Sequence, residues 1–251
     1  MPPRSRTGPT RATCPAATLA ALAALAPLLA ATPAGAQVRL GHRDDFEDGT
    51  TAGWRVGGGP VGGTHPAPPR VVADGRRGAD DDFLLLTAIG GGIGDVPVPG
   101  SRLSAFNTGS AWTGDYRAAG VGAVSMWVNN LGTTELFLRL AIVDFPDVPG
   151  PPVGAALSFA PVALPGSSGW TRVTFSLHPR ALVGAFGTGL GTLRSVDELR
   201  LYHRTDVGFP PESVVAQLGV DDVTAVPEPS TVALLGGGLL ALGAAARRRR
   251  R

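Results

Sequence analysis

Short apolar segments separated by glycine, proline, asparagine and aspartate run through the middle of this 251-residue chain, without a heptad repeat or a long helical period. The chain contains 36 glycines and 23 prolines. That content disfavours long helices, because both residue types destabilise helix interiors. Apolar segments of five to nine residues with period-two alternation are typical of strands. The pattern therefore predicts an all-β domain.

Six segments carry the strand pattern, and turn-forming residues separate them. Asn129-Asn130-Leu131-Gly132 lies between two of the segments and predicts a hairpin there. A short helical turn is expected within 180–193. With this many strands and no helical connections, the sequence predicts a two-sheet antiparallel β-sandwich. The predicted strands are 83–89, 121–128, 135–143, 170–177, 198–204 and 218–225.

The N-terminal residues have the three parts of a secretory signal peptide. Three arginines lie within the first eleven residues, and an alanine- and leucine-rich run follows from about residue 16 to 31. Ala34-Gly35-Ala36 then supplies the small residues of a cleavage site. The apolar run is short for a membrane span. A buried N-terminal helix is the alternative interpretation. We expect residues 1–36 to be removed on export.

The C-terminal residues form a second targeting segment. Pro227-Glu228-Pro229 is followed by an apolar stretch over 232–246 and by five terminal arginines. The arginines would stay on the cytoplasmic side of a membrane that the apolar stretch enters. This order resembles the PEP-CTERM sorting signal of Gram-negative bacteria over residues 226–251. The resemblance implies a hydrophobic helix held transiently in the inner membrane, processing by an exosortase, and delivery to the cell surface or extracellular matrix.

The charge of the intervening domain differs in sign from that of the whole chain. Eight of the 22 basic residues lie in the two terminal segments, but only one of the 20 acidic residues does. Residues 37–225 therefore carry 14 basic and 19 acidic side chains, a net charge near −5. The basic pI of the chain therefore comes from the two terminal segments, and it gives no support for a nucleic-acid partner. The single cysteine, Cys14, leaves with the signal peptide, so no disulfide is expected.

Three segments of this domain resemble strands of galactose-binding-like and carbohydrate-binding-module proteins. Asp45-Phe46-Glu47-Asp48-Gly49-Thr50, followed by Gly53-Trp54, resembles their opening strand. Trp170-Thr171-Arg172-Val173-Thr174-Phe175 resembles a central strand, and Gly219-Val220-Asp221-Asp222-Val223 resembles the closing one. The resemblance covers most of residues 37–225 and implies a jelly roll. It also implies that Trp54 lies in the core.

The same resemblance implies a structural calcium ion where the first and last strands meet. Glu47 and Asp221 match the positions of its carboxylate ligands best, with Asp45 and Asp222 as companions. Calcium takes several oxygen ligands at once, which such a cluster could provide. The alternative is that these carboxylates are solvated and pair with arginines such as Arg43.

Strand alternation predicts a ligand-binding face if four of the predicted strands share one sheet. Aromatic rings that stack on sugars, flanked by guanidinium donors, would suit a polysaccharide or surface glycan. The alternative is that the aromatic residues are cross-strand neighbours under a loop. Trp112 and Tyr116 are a second, loop-borne candidate. The residues that alternation places on the outer face are Trp127, Phe137, Arg139, Arg172, Arg200 and Tyr202.

Signatures of catalysis are sparse. The four histidines show no metal-ligand spacing, and the chain has no lysine for a phosphate-binding loop. Asp144, Asp147 and Glu198 could still converge as a carboxylate pair for glycoside hydrolysis. The leading hypothesis is a non-catalytic carbohydrate- or exopolysaccharide-binding module. A structural matrix protein without a dedicated ligand is the alternative, and a glycan-active enzyme ranks third.

Overall fold

A computed structural model describes residues 37–57, 65–93, 96–147 and 150–227. The predicted signal peptide and most of the predicted sorting signal lie outside these ranges. No helix within them is long and apolar enough to cross a membrane. The elements within them are β1 (Arg43–Asp44), β2 (Arg55–Val56), β3 (Arg70–Val72), β4 (Phe83–Ile89), β5 (Gly92–Ile93), β6 (Val96–Pro97), β7 (Ser104–Asn107), β8 (Ala123–Asn130), β9 (Leu136–Asp144), β10 (Gly154–Ser158), β11 (Val162–Leu164), β12 (Thr171–Ser176), a 3₁₀ turn (Pro179–Ala181), β13 (Leu182–Phe186), α1 (Gly189–Thr192), β14 (Glu198–His203) and β15 (Val215–Val226).

Two antiparallel sheets make up the domain. The first sheet has the strand order β12-β8-β15-β4-β3, and β1 pairs with β15 beside it. The second sheet has the order β13-β10-β9-β14-β7-β2, and β11 pairs with β9. β5 and β6 form a separate small hairpin. The predicted all-β, two-sheet sandwich is confirmed.

The core lies between the two sheets and comes from the alternating apolar positions of the long strands. Val124, Met126 and Val128 of β8 are buried on one side. Leu138 and Leu140 of β9 are buried on the other. Burial of a large aliphatic side chain contributes about 1.5–3 kcal/mol, so each of these alternating positions stabilises the sandwich.

The predicted hairpin between the second and third segments is wrong. β8 pairs with β12 and β15 in the first sheet, whereas β9 pairs with β10, β11 and β14 in the second. The connection 131–135 therefore crosses from one sheet to the other. Each strand has one apolar face, and two such faces can be buried by packing across a sandwich as well as within one sheet. The short helical turn expected within 180–193 is present as α1, and the same range also contains the strand β13.

The indole rings of Trp54 and Trp112 belong to the core. Trp54 is buried, as expected, and its Nε1 donates to Asp44 Oδ2 at 2.8 Å. Trp112 Nε1 donates to the same carboxylate oxygen at 2.7 Å. Trp112 and Tyr116 are fully buried, so the expectation of an exposed loop site there is wrong. The carboxylate of Asp44 is thus the hydrogen-bond acceptor that each of these two buried indole N–H groups requires.

Candidate functional site

The six residues of the predicted binding face lie on two sheets. Trp127 and Arg172 belong to β8 and β12 of the first sheet. Phe137 and Arg139 on β9, with Arg200 and Tyr202 on β14, belong to the second sheet. The premise that all four strands share one sheet is therefore wrong. The outer faces of a sandwich point in opposite directions, so these six side chains cannot form one surface.

On the first sheet, Trp127 and Arg172 are directly opposite one another on neighbouring strands. Trp127 is half-buried, and the guanidinium of Arg76 lies 4.6 Å from its ring centroid. Arg172 is exposed, and its Nε donates to Ser125 Oγ at 3.1 Å. Arg76 thus occupies one face of the indole that the sequence analysis assigned to a sugar.

On the second sheet, Arg139 and Tyr202 are buried beneath the connection 204–212, which we call the roof loop. Arg139 is 1% exposed, and its guanidinium donates to the carbonyl oxygens of Arg204 and Thr205 at 3.0 Å each. Tyr202 donates through its hydroxyl to Gly208 O at 3.1 Å, and burial raises its pKa to about 12. These two side chains hold the roof loop and do not face solvent.

Phe137 is half-buried near the end of the same face. Its backbone N–H donates to His203 Nδ1 at 2.9 Å, and the two rings lie 6.3 Å apart. The aromatic ring therefore packs against β14 instead of standing free. Of the four predicted residues on this sheet, Arg139 and Tyr202 are buried, and Phe137 and Arg200 are half-buried.

A single row of side chains crosses the outer face of the second sheet in register. The pairing of neighbouring strands places these side chains opposite one another, one from each strand of the order β13-β10-β9-β14-β7-β2. One end of the row is basic and aromatic, and the other is apolar. In strand order the row is Arg55, Phe106, Arg200, Ala141, Leu157 and Val183.

The basic end of this row forms a partly exposed surface, the arginine–phenylalanine platform, in which Arg55 and Phe209 are exposed and Phe106 and Arg200 are half-buried. The Phe106 ring lies between two guanidinium groups, with Arg55 Cζ 5.3 Å and Arg200 Cζ 4.8 Å from its centroid. Phe209 of the roof loop is 52% exposed, and its centroid is 5.6 Å from Arg200 Cζ. Planar rings and guanidinium groups thus alternate along the platform.

Two polar neighbours orient the central arginine of the platform. Arg200 Nε donates to Glu198 Oε1 at 2.7 Å, and its Nη1 donates to Ser104 Oγ at 3.0 Å. Glu198 is buried, so this charge-assisted bond is well shielded from water. A guanidinium held in this way loses little conformational entropy when a ligand accepts its remaining N–H groups.

Sequence reasoning found Arg200 but missed Arg55, Phe106 and Phe209. Phe106 lies in the short strand β7, which was not predicted, and Phe209 lies in a loop without a strand pattern. Alternation within Leu103–Asn107 could have indicated a strand with Phe106 on its outer side. Nothing in the local sequence indicates that Arg55 stacks on that ring.

The carboxylates assigned to calcium are paired with arginines. Asp222 accepts hydrogen bonds from Arg43 and from Arg76, the latter at 2.9 Å. Asp45 Oδ2 lies 4.0 Å from Arg43. In addition, Arg77 forms ion pairs with both Glu47 and Asp81. This arrangement matches the alternative to calcium binding, in which these carboxylates pair with arginines such as Arg43.

Asp221 is the exception among these acids. It is fully buried, and among the described residues its Oδ2 has no hydrogen-bond partner. Burial, and then the nearby Asp222 carboxylate, raise the pKa of Asp221 to about 7. Within the described ranges no group of three or more acidic, histidine or cysteine side chains is arranged to hold a metal ion. The residues as placed do not fit a ready-made calcium site, and calcium binding stays a prediction.

The carboxylates considered for catalysis lie in different settings. Glu198 is held in its ion pair with Arg200. Burial raises the pKa of Asp144, and the neighbouring carboxylates that contribute are Asp197 and Asp147. Asp197 itself accepts from the backbone N–H of Phe145 at 2.8 Å.

Comparison with known proteins bears on the sorting signal and on the fold. Residues 225–251 match the PEP-CTERM protein-sorting motif, which confirms the predicted sorting signal. A search of curated proteins finds no match.

Solved structures similar to the chain include carbohydrate-binding modules. One is the family 11 carbohydrate-binding module from Clostridium thermocellum in complex with a beta-1,3-1,4-mixed-linked tetrasaccharide (13% identity, 75% of this chain and 96% of that chain, TM-score 0.47). Another is a CBM22 xylan-binding domain from Paenibacillus barcinonensis (15% identity, 76% and 98%, TM-score 0.40). A third is a candidate glycoside hydrolase from Bacteroides thetaiotaomicron (12% identity, 76% and 72%, TM-score 0.42).

Proposed function

We propose that this chain is an exported, exosortase-sorted protein of the cell surface or matrix, and that its β-sandwich is a non-catalytic module that binds an extracellular polysaccharide. The PEP-CTERM motif at 225–251 supports the sorting step, with transient anchoring in the inner membrane of a Gram-negative cell. The similarity to carbohydrate-binding modules agrees with glycan binding but concerns the fold alone.

The observation that carries the binding proposal is the arginine–phenylalanine platform. Sugar rings present C–H faces that pack on aromatic rings and hydroxyl or carboxylate oxygens that accept from guanidinium groups. The exposed Phe209 supplies the first kind of contact, together with the part of Phe106 that its two flanking guanidinium groups leave uncovered, and Arg55 and Arg200 supply the second. The platform spans β2, β7 and β14, so it would receive a short stretch of a sugar chain that lies across these three strands.

The test is affinity electrophoresis of the purified protein in gels containing neutral or acidic polysaccharides. Phe106→Ala and Phe209→Ala are each expected to weaken retardation by roughly tenfold, the effect of removing one stacking contact of about 1.4 kcal/mol. Phe159→Ala is the matched control, because Phe159 is 61% exposed but lies outside the platform. Circular dichroism checks that each variant is folded.

Three outcomes would contradict the proposal. Retention that Phe106→Ala leaves intact and Trp127→Ala abolishes would move the site to the first sheet. Absence of retardation in every gel, from a folded protein, would remove the binding function. Release of new reducing ends from a retained polysaccharide would show that the module is catalytic.

A second candidate function, a structural matrix protein, is favoured by the free edge of the second sheet. β13 pairs with β10 alone among the described strands, and residues 181–193 contain no charged side chain. Four large apolar residues at or beside this edge are exposed, and uncharged edges of this kind promote edge-to-edge pairing. A bulge in the β10–β13 ladder limits the straight part of the edge. The exposed residues are Val153, Phe159, Phe186 and Leu190.

Sedimentation velocity over a range of protein concentrations tests this alternative. Self-association that increases with salt is expected, because two domains of net charge near −5 repel each other less when screened. Phe186→Lys should abolish it. Leu131→Lys should not, since it adds the same charge at an exposed position on the connection between the sheets. A protein that stays monomeric at all concentrations would exclude assembly through this edge.

A further inference from the structure

The outer face of the second sheet continues past the platform toward the roof loop. Beyond the last paired residues of β7 and β14, His203 N–H donates to Leu103 O at 3.0 Å, so the two chains stay side by side. The next residues along these chains are Arg102 and Arg204, which therefore start from neighbouring backbone positions. Leu103 is buried in the core, so alternation places the side chain of Arg102 on the outer face. Two arginines thus meet at this end of the face.

No acidic side chain in the described part of the chain compensates the charge of Arg102. Its guanidinium takes part in none of the ion pairs among the described residues, and its buried Nε has no hydrogen-bond partner there. Burial, and then the like charge of Arg204, lower the pKa of Arg102. A half-buried guanidinium beside a second cation is unfavourable unless an anion joins it.

The acids of the roof loop are engaged by other groups. Asp206 Oδ1 lies 2.6 Å from Arg204 Nε, so these two charges are paired. Glu212 accepts from the backbone N–H of Thr205 at 3.0 Å and from its hydroxyl at 2.9 Å. Arg102 is therefore the uncompensated cation at this end of the face.

A second uncompensated cation lies in the platform. The guanidinium of the exposed Arg55 donates to the hydroxyl of Thr108, a neutral acceptor, and it forms no ion pair with a described residue. Arg200, by contrast, is paired with the buried Glu198. The outer face therefore carries two free positive charges, although the domain as a whole has a net charge near −5.

The two free charges are too far apart to share one small anion. Arg55 is opposite Phe106 in the β2–β7 pair, and Phe106 is four residues from Arg102 along an extended chain. At about 3.3 Å per residue, roughly 13 Å separates the two positions along β7. A polymer with repeated acid groups can contact both arginines, whereas a single small anion can contact only one.

We propose that the ligand of this face is an acidic polysaccharide, with carboxylate groups that pair with Arg102 and Arg55 while its rings contact Phe209. This inference rests on the polysaccharide binding proposed above and adds the chemical class of the ligand. A carboxylate accepts two parallel hydrogen bonds from one guanidinium, and engaging one acid group of a polymer raises the effective concentration of the next. The negative charge of the rest of the domain disfavours adsorption of such a polymer elsewhere.

Affinity electrophoresis of the full mature chain, in detergent and chelator, tests this proposal. The probes are alginate, a polyuronate, and carboxyl-reduced alginate, which has the same linkages without the charge. Alginate should retard the protein at least about tenfold more strongly, and salt should weaken the effect. Arg102→Gln should weaken retardation by alginate roughly tenfold, because a half-buried charged hydrogen bond is lost. Arg55→Gln, at an exposed position, should weaken it roughly threefold.

Arg180→Gln is the matched control, because it removes the same charge from an exposed position in the 3₁₀ turn, outside this face. It should leave retardation unchanged. Equal retardation by alginate and its carboxyl-reduced form would overturn this inference and leave polysaccharide binding in place. Retardation by neither, from a folded protein, would remove both.

Thermal unfolding without polysaccharide provides a readout that does not depend on binding. Arg102→Met should raise Tm by roughly 2–4 °C, because it removes an uncompensated charge and keeps the apolar part of the side chain. A fall in Tm of that size would overturn the proposal, because Arg102 would then serve the fold and not a ligand.

Discussion

Replacing Arg139 with methionine tests whether this buried guanidinium holds the roof loop on the second sheet. Its donors reach four carbonyl oxygens, those of Arg204, Thr205, Ser158 and Phe159, at 2.8–3.0 Å. Hydrogen bonds to a charged group contribute about 1.5–3 kcal/mol each, but burying the guanidinium costs several kcal/mol. We expect a net loss of about 3–5 kcal/mol, because methionine fills part of the volume and leaves the carbonyls without partners.

Thermal unfolding followed by far-UV circular dichroism measures this loss. For a domain of this size, about 1 kcal/mol changes Tm by roughly 2–4 °C, so Tm should fall by roughly 6–20 °C. Arg172→Met is the matched control, since Arg172 is exposed with a single side-chain bond to Ser125, and it should change stability by at most about 0.5 kcal/mol. A loss below about 1 kcal/mol in Arg139→Met would refute the reasoning, because the roof loop would then be held by other contacts.

Three further results are expected. Asp221→Asn should stabilise the protein above about pH 7 and have no effect below about pH 4. The reason is that the folded-state pKa of Asp221, about 7, exceeds the ordinary 3.8, so the stability of the parent protein falls as pH rises between these two values. Urea midpoints across this range would check the prediction, and a pH-independent difference would contradict it. Gly219→Ala should cost about 1–3 kcal/mol, since a Cβ there would lie 3.0 Å from Trp170 and 3.1 Å from Phe83; an unchanged urea midpoint would count against that packing. Tm should be equal in calcium and in chelator, because guanidinium groups already pair with Glu47, Asp45 and Asp222; a calcium-dependent rise lost in Glu47→Gln would instead support the cation that the family resemblance implies.

Local patterns predicted the strands well where one face is buried. The segment 83–89 coincides with β4, and the segment 135–143 differs from β9 by one residue at each end. The segment 198–204 likewise extends one residue past β14. Local patterns work there because burial selects apolar side chains, in a continuous run in β4 and at every second position in the others, whatever the partner strand is.

Strand pairing could not be predicted in the same way. Alternation places Trp127 and Arg139 on outer faces, and both assignments hold within their own sheets. It does not tell which sheet a strand joins, because an apolar face can be buried beside a neighbour or across the core. The error in the predicted hairpin therefore carried over into the predicted binding face.

The sequence by itself determined the C-terminal sorting motif, the all-β class and the inward face of each long strand, since these depend on composition and on residues close together in the chain. Tertiary structure alone decided what the outward residues do. Arg139 and Arg200 both lie at outward positions of one sheet. Arg139 is buried beneath the roof loop, whereas Arg200 is half-buried and belongs to the platform. The difference comes from where a distant loop packs and from a cross-strand register that joins Arg55 and Phe106 to Arg200. Neither is written in the periodicity of any single segment, because both depend on contacts between residues far apart in the chain.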